Sequence, residues 1–236
     1  MGDVTTALLD RRLYTISDVA SLLGMPSSTL SYWMHGLTRR GHEYPPALRH
    51  ERNDDPHVTW GEFIEASLLR QLRDRGVRLD GIRTFSRAVR LALGWNYPLA
   101  RHDLYVGPDG RLVYEAQQIA DLPPEARLLV ASETYGSGQL LLQRGQALEA
   151  FLERVNFQDE IPVGYWPDPT AKVVVCDPQR RFGSPQVSGV PTEALWELHS
   201  AGEQIEGIAG NFELHVREVE AAIRFERDRR STVKVA

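Results

Sequence analysis

Cysteine is nearly absent from this chain: Cys176 stands alone among 236 residues. That excludes an internal disulfide and any cysteine-rich metal site, and sets a reducing compartment as the expectation. Long apolar runs are missing too, since no stretch approaches the roughly 18 uninterrupted apolar residues of a membrane span. The opening Met1-Gly2-Asp3-Val4-Thr5 has neither the basic region nor the apolar run of a secretory leader. Together these set a cytoplasmic expectation. Lysine is scarce, and 25 of the 27 cationic residues are arginine. GC-rich coding accounts for that bias more simply than a functional need for planar guanidinium forks.

A catalytic constellation is missing as well. His35 and His42, like His50 and His57, lie seven apart, not at the i, i+4 spacing of a helical metal pair. Cys176 sits in an apolar run, where cysteine is more often a small hydrophobe than a nucleophile. Gly136-Ser137-Gly138 lacks the lysine of a phosphate loop. No catalytic residue, metal or cofactor is expected, and the chain reads as a binding protein rather than an enzyme.

The charge is present but divided. The net charge is −5, yet residues 1–95 carry +2 and the remainder −7. A basic front and an acidic back imply different partners.

The front opens on a helix–turn–helix pattern over Tyr14–Trp33. Thr15-Ile16-Ser17-Asp18 has the form of a capping box, and Ile16, Val19, Ala20 and Leu23 follow at helical spacing. Gly24-Met25-Pro26 stops that helix, Ser27 is placed to cap the next, and Leu30 and Trp33 recur inward. Ser27, Ser28, Thr29, Ser31 and Tyr32 then become the candidate DNA-reading face. The polar segment Thr38–Pro56 could form a wing, with Arg39, Arg40, Arg49 and Arg52 as candidate phosphate contacts. Thr59-Trp60-Gly61-Glu62 is a second capping box, opening a helix with Phe63, Ile64, Leu68 and Leu72 inward and Gly76 at its end. Asp80 starts another, with Ile82, Phe85, Val89 and Leu93 inward and Gly94 closing it.

The middle changes character. Leu104-Tyr105-Val106 and Leu112-Val113-Tyr114 flank Gly107-Pro108-Asp109-Gly110, which reads as a β-hairpin. Leu128–Val130 is a candidate strand, Leu140–Val155 a candidate helix and Val163–Trp166 a further strand. Lys172–Cys176 is β-branched and stops at Asp177-Pro178. The rear, over Thr192–Phe225, reads as a second helix–turn–helix. Thr192 caps a first helix carrying Leu195 and Leu198, a short one carries Ile205 and Ile208, and a third carries Val216, Val219 and Ile223. Its exposed surface (His215, Arg217, Glu218, Glu220) is mixed in charge and poor for phosphate, so a protein-facing or dimerising role suits it better.

The resulting expectation is an α+β, predominantly helical chain. It divides into a winged helix–turn–helix over 1–95, a small β-containing connecting region over 96–170 and a C-terminal three-helix unit over 171–236.

The run Tyr14–Gly24 resembles the opening of MerR-type winged-helix regulators, and Phe63–Leu79, with Arg73-Asp74-Arg75-Gly76-Val77, resembles their second helical pair. Two positions depart. The family's arginine–tyrosine–aromatic run is Ser31-Tyr32-Trp33 here, and its wing arginine and tyrosine fall unmatched near Pro56–Val58. The family's long dimerisation helix and effector cysteines are also absent. The back half carries Val175-Cys176-Asp177-Pro178, Phe182-Gly183-Ser184-Pro185, Gly189-Val190-Pro191-Thr192, Ala201-Gly202-Glu203 and Ile208-Ala209. These resemble the small helical domain of antitoxins encoded beside PIN-domain ribonuclease toxins, and the whole arrangement is similar to VapB-like antitoxins.

That resemblance implies three partners: operator DNA, a PIN-type toxin whose family active site is a cluster of carboxylates, and a second copy of the chain or a larger toxin–antitoxin assembly. Arg224, Arg227, Arg229 and Arg230 could then pair with the toxin's carboxylates. Two other readings remain open. One is an effector-sensing regulator whose ligand pocket is built from Tyr97–Trp166. The other is an adaptor whose front unit has lost DNA binding, consistent with serine at position 31.

Overall fold

The computed structural model describes residues 7–106, 110–132 and 141–233. It is a mixed fold, mainly helical with small antiparallel sheets, as the sequence predicts. The glycine-rich run at 136–138 and the turn residues 107–109 lie outside the described residues.

Strand β1 (Arg12–Thr15) leads directly into helix α1 (Ile16–Leu22). The predicted capping box is formed, with Thr15 Oγ1 accepting from the Asp18 amide and the Asp18 carboxylate accepting from the Thr15 amide. A four-residue turn with Gly24 at φ +61° leads to α2 (Ser27–His35). Strands β2 (Leu37–Arg39) and β3 (His42–Tyr44) then form a hairpin, closed by Arg40 at φ +52° and Gly41 at φ +76°. Two successive left-handed residues suit the right-handed twist of a two-residue hairpin turn. This is the wing expected within Thr38–Pro56. Strand β4 (His57–Thr59) returns to pair antiparallel with β1, and α3 (Trp60–Asp74) follows on the predicted Thr59–Glu62 capping box. Helix α4 (Leu79–Leu93) ends at Gly94 in the left-handed conformation.

Two caps differ from expectation. Pro26 is the N-cap of α2 and Ser27 its first helical residue, with no side-chain cap. Arg78 stands at the N-cap of α4, and Asp80 lies in its first turn. Proline before a helix fixes the entry by its φ alone, so serine need not bend back.

The expected hairpin at 104–114 is not there. Asp103–Val106 forms the short helix α5, and Gly110–Ile119 forms α6. The buried positions of α6, Gly110, Val113, Ala116 and Gln117, recur at helical intervals. Two three-residue apolar runs beside a Gly-Pro-Asp-Gly turn signal are too short to establish alternation, and the longer period prevails. Gln117 ties α6 to strand β5 (Leu129–Ser132): its Oε1 accepts from the amides of Leu128 and Leu129 at 3.0 and 3.2 Å, and its Nε2 donates to Leu129 O.

The helix expected over Leu140–Val155 is also shorter. Leu141–Arg144 is strand β6, paired with β5, and only Gln146–Leu152 is helical (α7). Gly145 separates them, packed so closely that a Cβ would lie 2.0 Å from Arg127 O. Strands β7 (Val155–Gln158), β8 (Ile161–Tyr165), β9 (Val175–Cys176), β10 (Pro185–Val187) and β11 (Val190–Pro191) form one antiparallel sheet in reverse chain order. Only the last two residues of the predicted strand Lys172–Cys176 join it.

The rear helices are α8 (Thr192–Ser200), α9 (Ile205–Phe212) and α10 (Val216–Val233). Thr192 does not cap α8, whose N-cap is Pro191; its hydroxyl instead donates to Glu226 Oε1 at 2.6 Å. Residues 227–230 lie within α10.

One apolar core runs from Leu9 to Cys176, so residues 96–170 pack into the core of the front unit. At its centre Tyr14, Trp60, Phe63 and Tyr165 meet at ring separations of 4.8 to 6.4 Å. Such pairs each contribute roughly 0.5–1.5 kcal/mol beyond the area they bury. A second core of Val174, Val187, Leu195, Ile208, Val219, Ala222 and Ile223 lies beneath the rear helices, and Phe225 packs against both.

Candidate nucleic-acid interface

Helix α2 buries Leu30, Trp33 and Met34 and leaves the opposite side free. Ser27 and Ser28 are exposed, while Thr29, Ser31 and Tyr32 are half-buried. The missing side-chain cap leaves first-turn amides of α2 without a side-chain acceptor. Of the five candidate reading residues only Ser27 and Ser28 are fully exposed, and Trp33 is buried beneath the helix.

The wing is fixed to this helix at one glycine. Gly36 has φ +70°, and a Cβ there would lie 2.3 Å from Tyr44 O. Glycine permits both the conformation and the close approach of the strand. Behind it, the amides of Ala47 and Leu48 donate to Trp33 O at 2.8 and 3.1 Å. Arg39 and Arg40 stand exposed on the wing. Arg52 is exposed too, and its guanidinium donates to Thr38 Oγ1 at 3.0 Å, bracing the wing's base.

Arg83 of α4 completes the junction. Its guanidinium lies 4.8 Å from the Tyr32 ring centre and 5.9 Å from that of Tyr44, and its Nε donates to Pro45 O at 2.8 Å. Guanidinium-over-aromatic contacts of this kind are worth about 0.5–2 kcal/mol according to desolvation. Sequence reading missed this residue: Arg83 lies 51 positions from Tyr32, and nothing local marks it.

Arg49 is placed differently from the expectation. Its side chain is 5% exposed and pairs with Glu62 at 2.8 Å. The remaining donors reach Asn53 Oδ1 at 2.5 Å, Asp55 O at 2.9 Å and His57 O at 2.7 Å. A guanidinium whose donors are consumed inside the fold has none left for phosphate, so Arg49 is a structural hub and not a phosphate contact. A parallel pair lies deeper, with Arg90 donating to Glu65 at 2.5 Å and the Leu99 amide donating to the other Glu65 oxygen at 3.0 Å. Burial pushes the Glu65 carboxyl up, against the pull of Arg90.

The rear arginines divide in the same way. Arg229 donates through Nε and Nη2 to the fully buried Glu226 Oε2, at 3.1 and 2.8 Å. Arg230 pairs with Glu193 at 3.2 Å and with Glu226 at 3.4 Å. Arg224 and Arg227 remain exposed, and the Arg224 charge helps the Thr170 hydrogen bonds hold the Asp168 carboxyl below its ordinary range. Glu218, expected on the partner-facing surface, accepts from the His215 amide at 2.8 Å and from Ser188 Oγ at 2.7 Å. Those bonds hold its carboxyl low and make it the cap of α10.

Burial pushes the Cys176 thiol up to about 12, which suits an inert core residue. His35 Nδ1 lies 2.6 Å from Asn53 O, and His57 Nδ1 lies 3.1 Å from Asp55. Among the described residues no group of three or more His, Cys, Asp or Glu is arranged to hold a metal ion, and no helix is long and apolar enough to cross a membrane.

No family model matches the chain. It is 29% identical over 223 residues to the uncharacterized protein Rv2308 of Mycobacterium tuberculosis, covering 92% of this chain and 91% of that protein. Over 218 residues it is 25% identical to a second protein of that organism, named "Putative antitoxin VapB45", covering 86% of this chain and 89% of that one. Among solved structures it matches the X-ray crystal structure of Rv2018 from M. tuberculosis with a TM-score of 0.66 at 19% identity, covering 91% of this chain and 99% of that one. The last match shows a shared fold. The first two span both the front and the rear of the chain, and the second supports a distant antitoxin-like relation.

Proposed function

We propose that this chain is an antitoxin: it neutralises a PIN-type ribonuclease toxin and represses its own operon through the front unit. The observation that carries the reading is the distant similarity, over 86% of the chain, to a protein named as an antitoxin. The hydroxyl-lined α2 beside a wing bearing Arg39 and Arg40 supports the DNA-binding half. Ser27, Ser28, Thr29 and Ser31 would approach base edges or phosphates, Tyr32 would be held by Arg83, and Arg39, Arg40 and Arg52 would neutralise phosphates. One short recognition helix reads few bases, so a dimer is the natural binding unit.

For the toxin-binding half, Arg227 and Arg224 are the arginines best placed to meet a carboxylate cluster. Arg229 and Arg230 are already engaged with Glu226 and Glu193. The effector-sensing alternative builds its pocket from a hairpin and the aromatics of Tyr97–Trp166, and that hairpin is instead two helices.

Co-expression of the full chain with the product of the adjacent gene tests the reading. The expected result is restored growth and a complex that co-purifies. Reversing both exposed charges (Arg224→Glu with Arg227→Glu) should weaken that complex at least about tenfold. Absence of both complex and rescue with the wild-type chain would sink the reading.

A further inference from the structure

The least ordinary backbone among the described residues is the turn between β9 and β10. Arg181, Phe182 and Gly183 have φ values of +51°, +53° and +76° in succession. Each non-glycine residue in the left-handed region costs roughly 1–2 kcal/mol. The segment is nonetheless well built. The Gly183 amide donates to Arg180 O at 2.9 Å, and the Ser184 amide donates to Arg181 O at 3.0 Å. The Tyr14 hydroxyl donates to Gly183 O at 2.8 Å. Gly183 fits so closely that a Cβ would lie 2.2 Å from that hydroxyl.

What the turn achieves is to hold Phe182 outward. The ring is 78% exposed, the highest exposure of any large apolar residue described. The turn is tied to the fold through Tyr14 and Gly183, whereas the Phe182 side chain that it presents is left in water. Backbone strain kept in place by its surroundings points toward a contact made elsewhere. Arg180 and Arg181, which precede the aromatic in the chain, are exposed too, and Arg180 lies 3.5 Å from Asp177.

Beside the turn lies a cavity of about 540 Å³ whose apolar lining includes Leu13, Leu22, Pro185 and Pro191, with the carboxylates of Asp18 and Glu193 at the same site. Glu226 and Arg229 also reach it, and they neutralise each other at 2.8 Å. The knob is therefore aromatic beside a cation, and the adjoining hole is mixed: apolar side chains stand beside Asp18, whose carboxylate also accepts from Thr15, and Glu193, which also pairs with Arg230. Phe182 and Arg181 themselves border that hole, so both halves of a complementary contact occupy one face.

We propose that two copies of this chain pair through this face, each Phe182 entering the other's cavity and each Arg181 meeting the partner's Asp18 and Glu193. An isologous contact requires such self-complementarity of one patch, which a partner of another kind would use only by half. Neither α2 nor the wing lines the cavity. The pairing therefore leaves Ser27–Ser31 and Arg39–Arg40 open. It names a surface for the second copy but does not depend on what the front unit binds.

Sedimentation velocity of the full chain over a concentration series tests this. The wild type is expected to dimerise. Phe182→Gly removes the ring along with its left-handed penalty, so its melting temperature should hold or rise while the dimer weakens at least about tenfold. Arg181→Glu is expected to weaken the dimer similarly by placing like charges together. A wild type that remains monomeric throughout would overturn the proposal, as would a dimer whose Kd moves less than twofold in both variants. It would be overturned equally if the wild type is monomeric and Phe182→Gly instead abolishes binding to the adjacent gene's product.

Discussion

Arg49→Met is expected to lower the unfolding free energy by about 3–5 kcal/mol, the range for removing one partner of a buried ion pair. Arg49 holds Glu62 at 2.8 Å, with side-chain exposures of 5% and 9%. Methionine would leave the carboxylate with no counter-ion in a place water scarcely reaches. The effect should spread, because Glu62 Oε2 also accepts from the Thr59 amide and so caps α3. It should also loosen the segment 53–57, whose Asp55 and His57 carbonyls accept from the same guanidinium. Urea unfolding followed by circular dichroism measures the change. Adding Glu62→Gln should recover part of the loss, since it removes the stranded charge while keeping hydrogen-bonding atoms near the cap. A loss below about 1 kcal/mol for Arg49→Met, typical of an exposed pair, would show that Arg49 is not the hub described.

Gly36→Val is expected to destabilise by about 2–4 kcal/mol, combining a left-handed position unsuited to a β-branched residue with a backbone clash. The added Cβ would sit 2.3 Å from Tyr44 O and 3.1 Å from Pro45 C and Pro46 N. None of these is the end of a flexible side chain that can move aside. The wing should part from α2, and hydrogen exchange should rise first at the Ala47 and Leu48 amides that donate to Trp33 O. Gly24→Ala is the control. Gly24 is also left-handed, at φ +61°, but its Cβ would meet nothing within 4 Å. It should cost only about 1 kcal/mol, the conformational part alone. Equal losses in the two variants would mean that the Gly36 contact does not anchor the wing.

The features legible in the sequence are those decided within a few residues. Thr15 with Asp18, and Thr59 with Glu62, satisfy helix-end amides across three positions, and both boxes form. The left-handed Gly94 that closes α4 is similarly local. Misreadings arose where short runs competed with a longer period, as at 104–114, or where one glycine broke a pattern, as at Gly145. For the candidate site, exposure of the α2 hydroxyls could be inferred from the burial of Leu30 and Trp33. The fate of individual arginines could not. Sequence displays a charge but not its partner: Arg49 finds Glu62 thirteen residues away, Arg83 finds Tyr32 fifty-one away, and Arg230 finds Glu193 thirty-seven away. Buried pairing and surface phosphate contacts call for the same residue, and only tertiary packing separates them. The same holds for Phe182, whose exposure reverses what its hydrophobicity implies.

The role proposed for the front unit is to read DNA through α2 and its wing. Fluorescence anisotropy of the full chain on DNA from upstream of its own gene, repeated across a salt series, tests that most directly. The account predicts binding at low salt with log affinity falling linearly against log salt. The double variant Arg39→Ala, Arg40→Ala should bind more weakly on every sequence, with the slope shallower by about 0.9 for each phosphate contact removed. Arg227→Ala, in the rear unit, should leave affinity and slope unchanged. No binding at low salt, or a slope indifferent to the two wing arginines, would contradict the account.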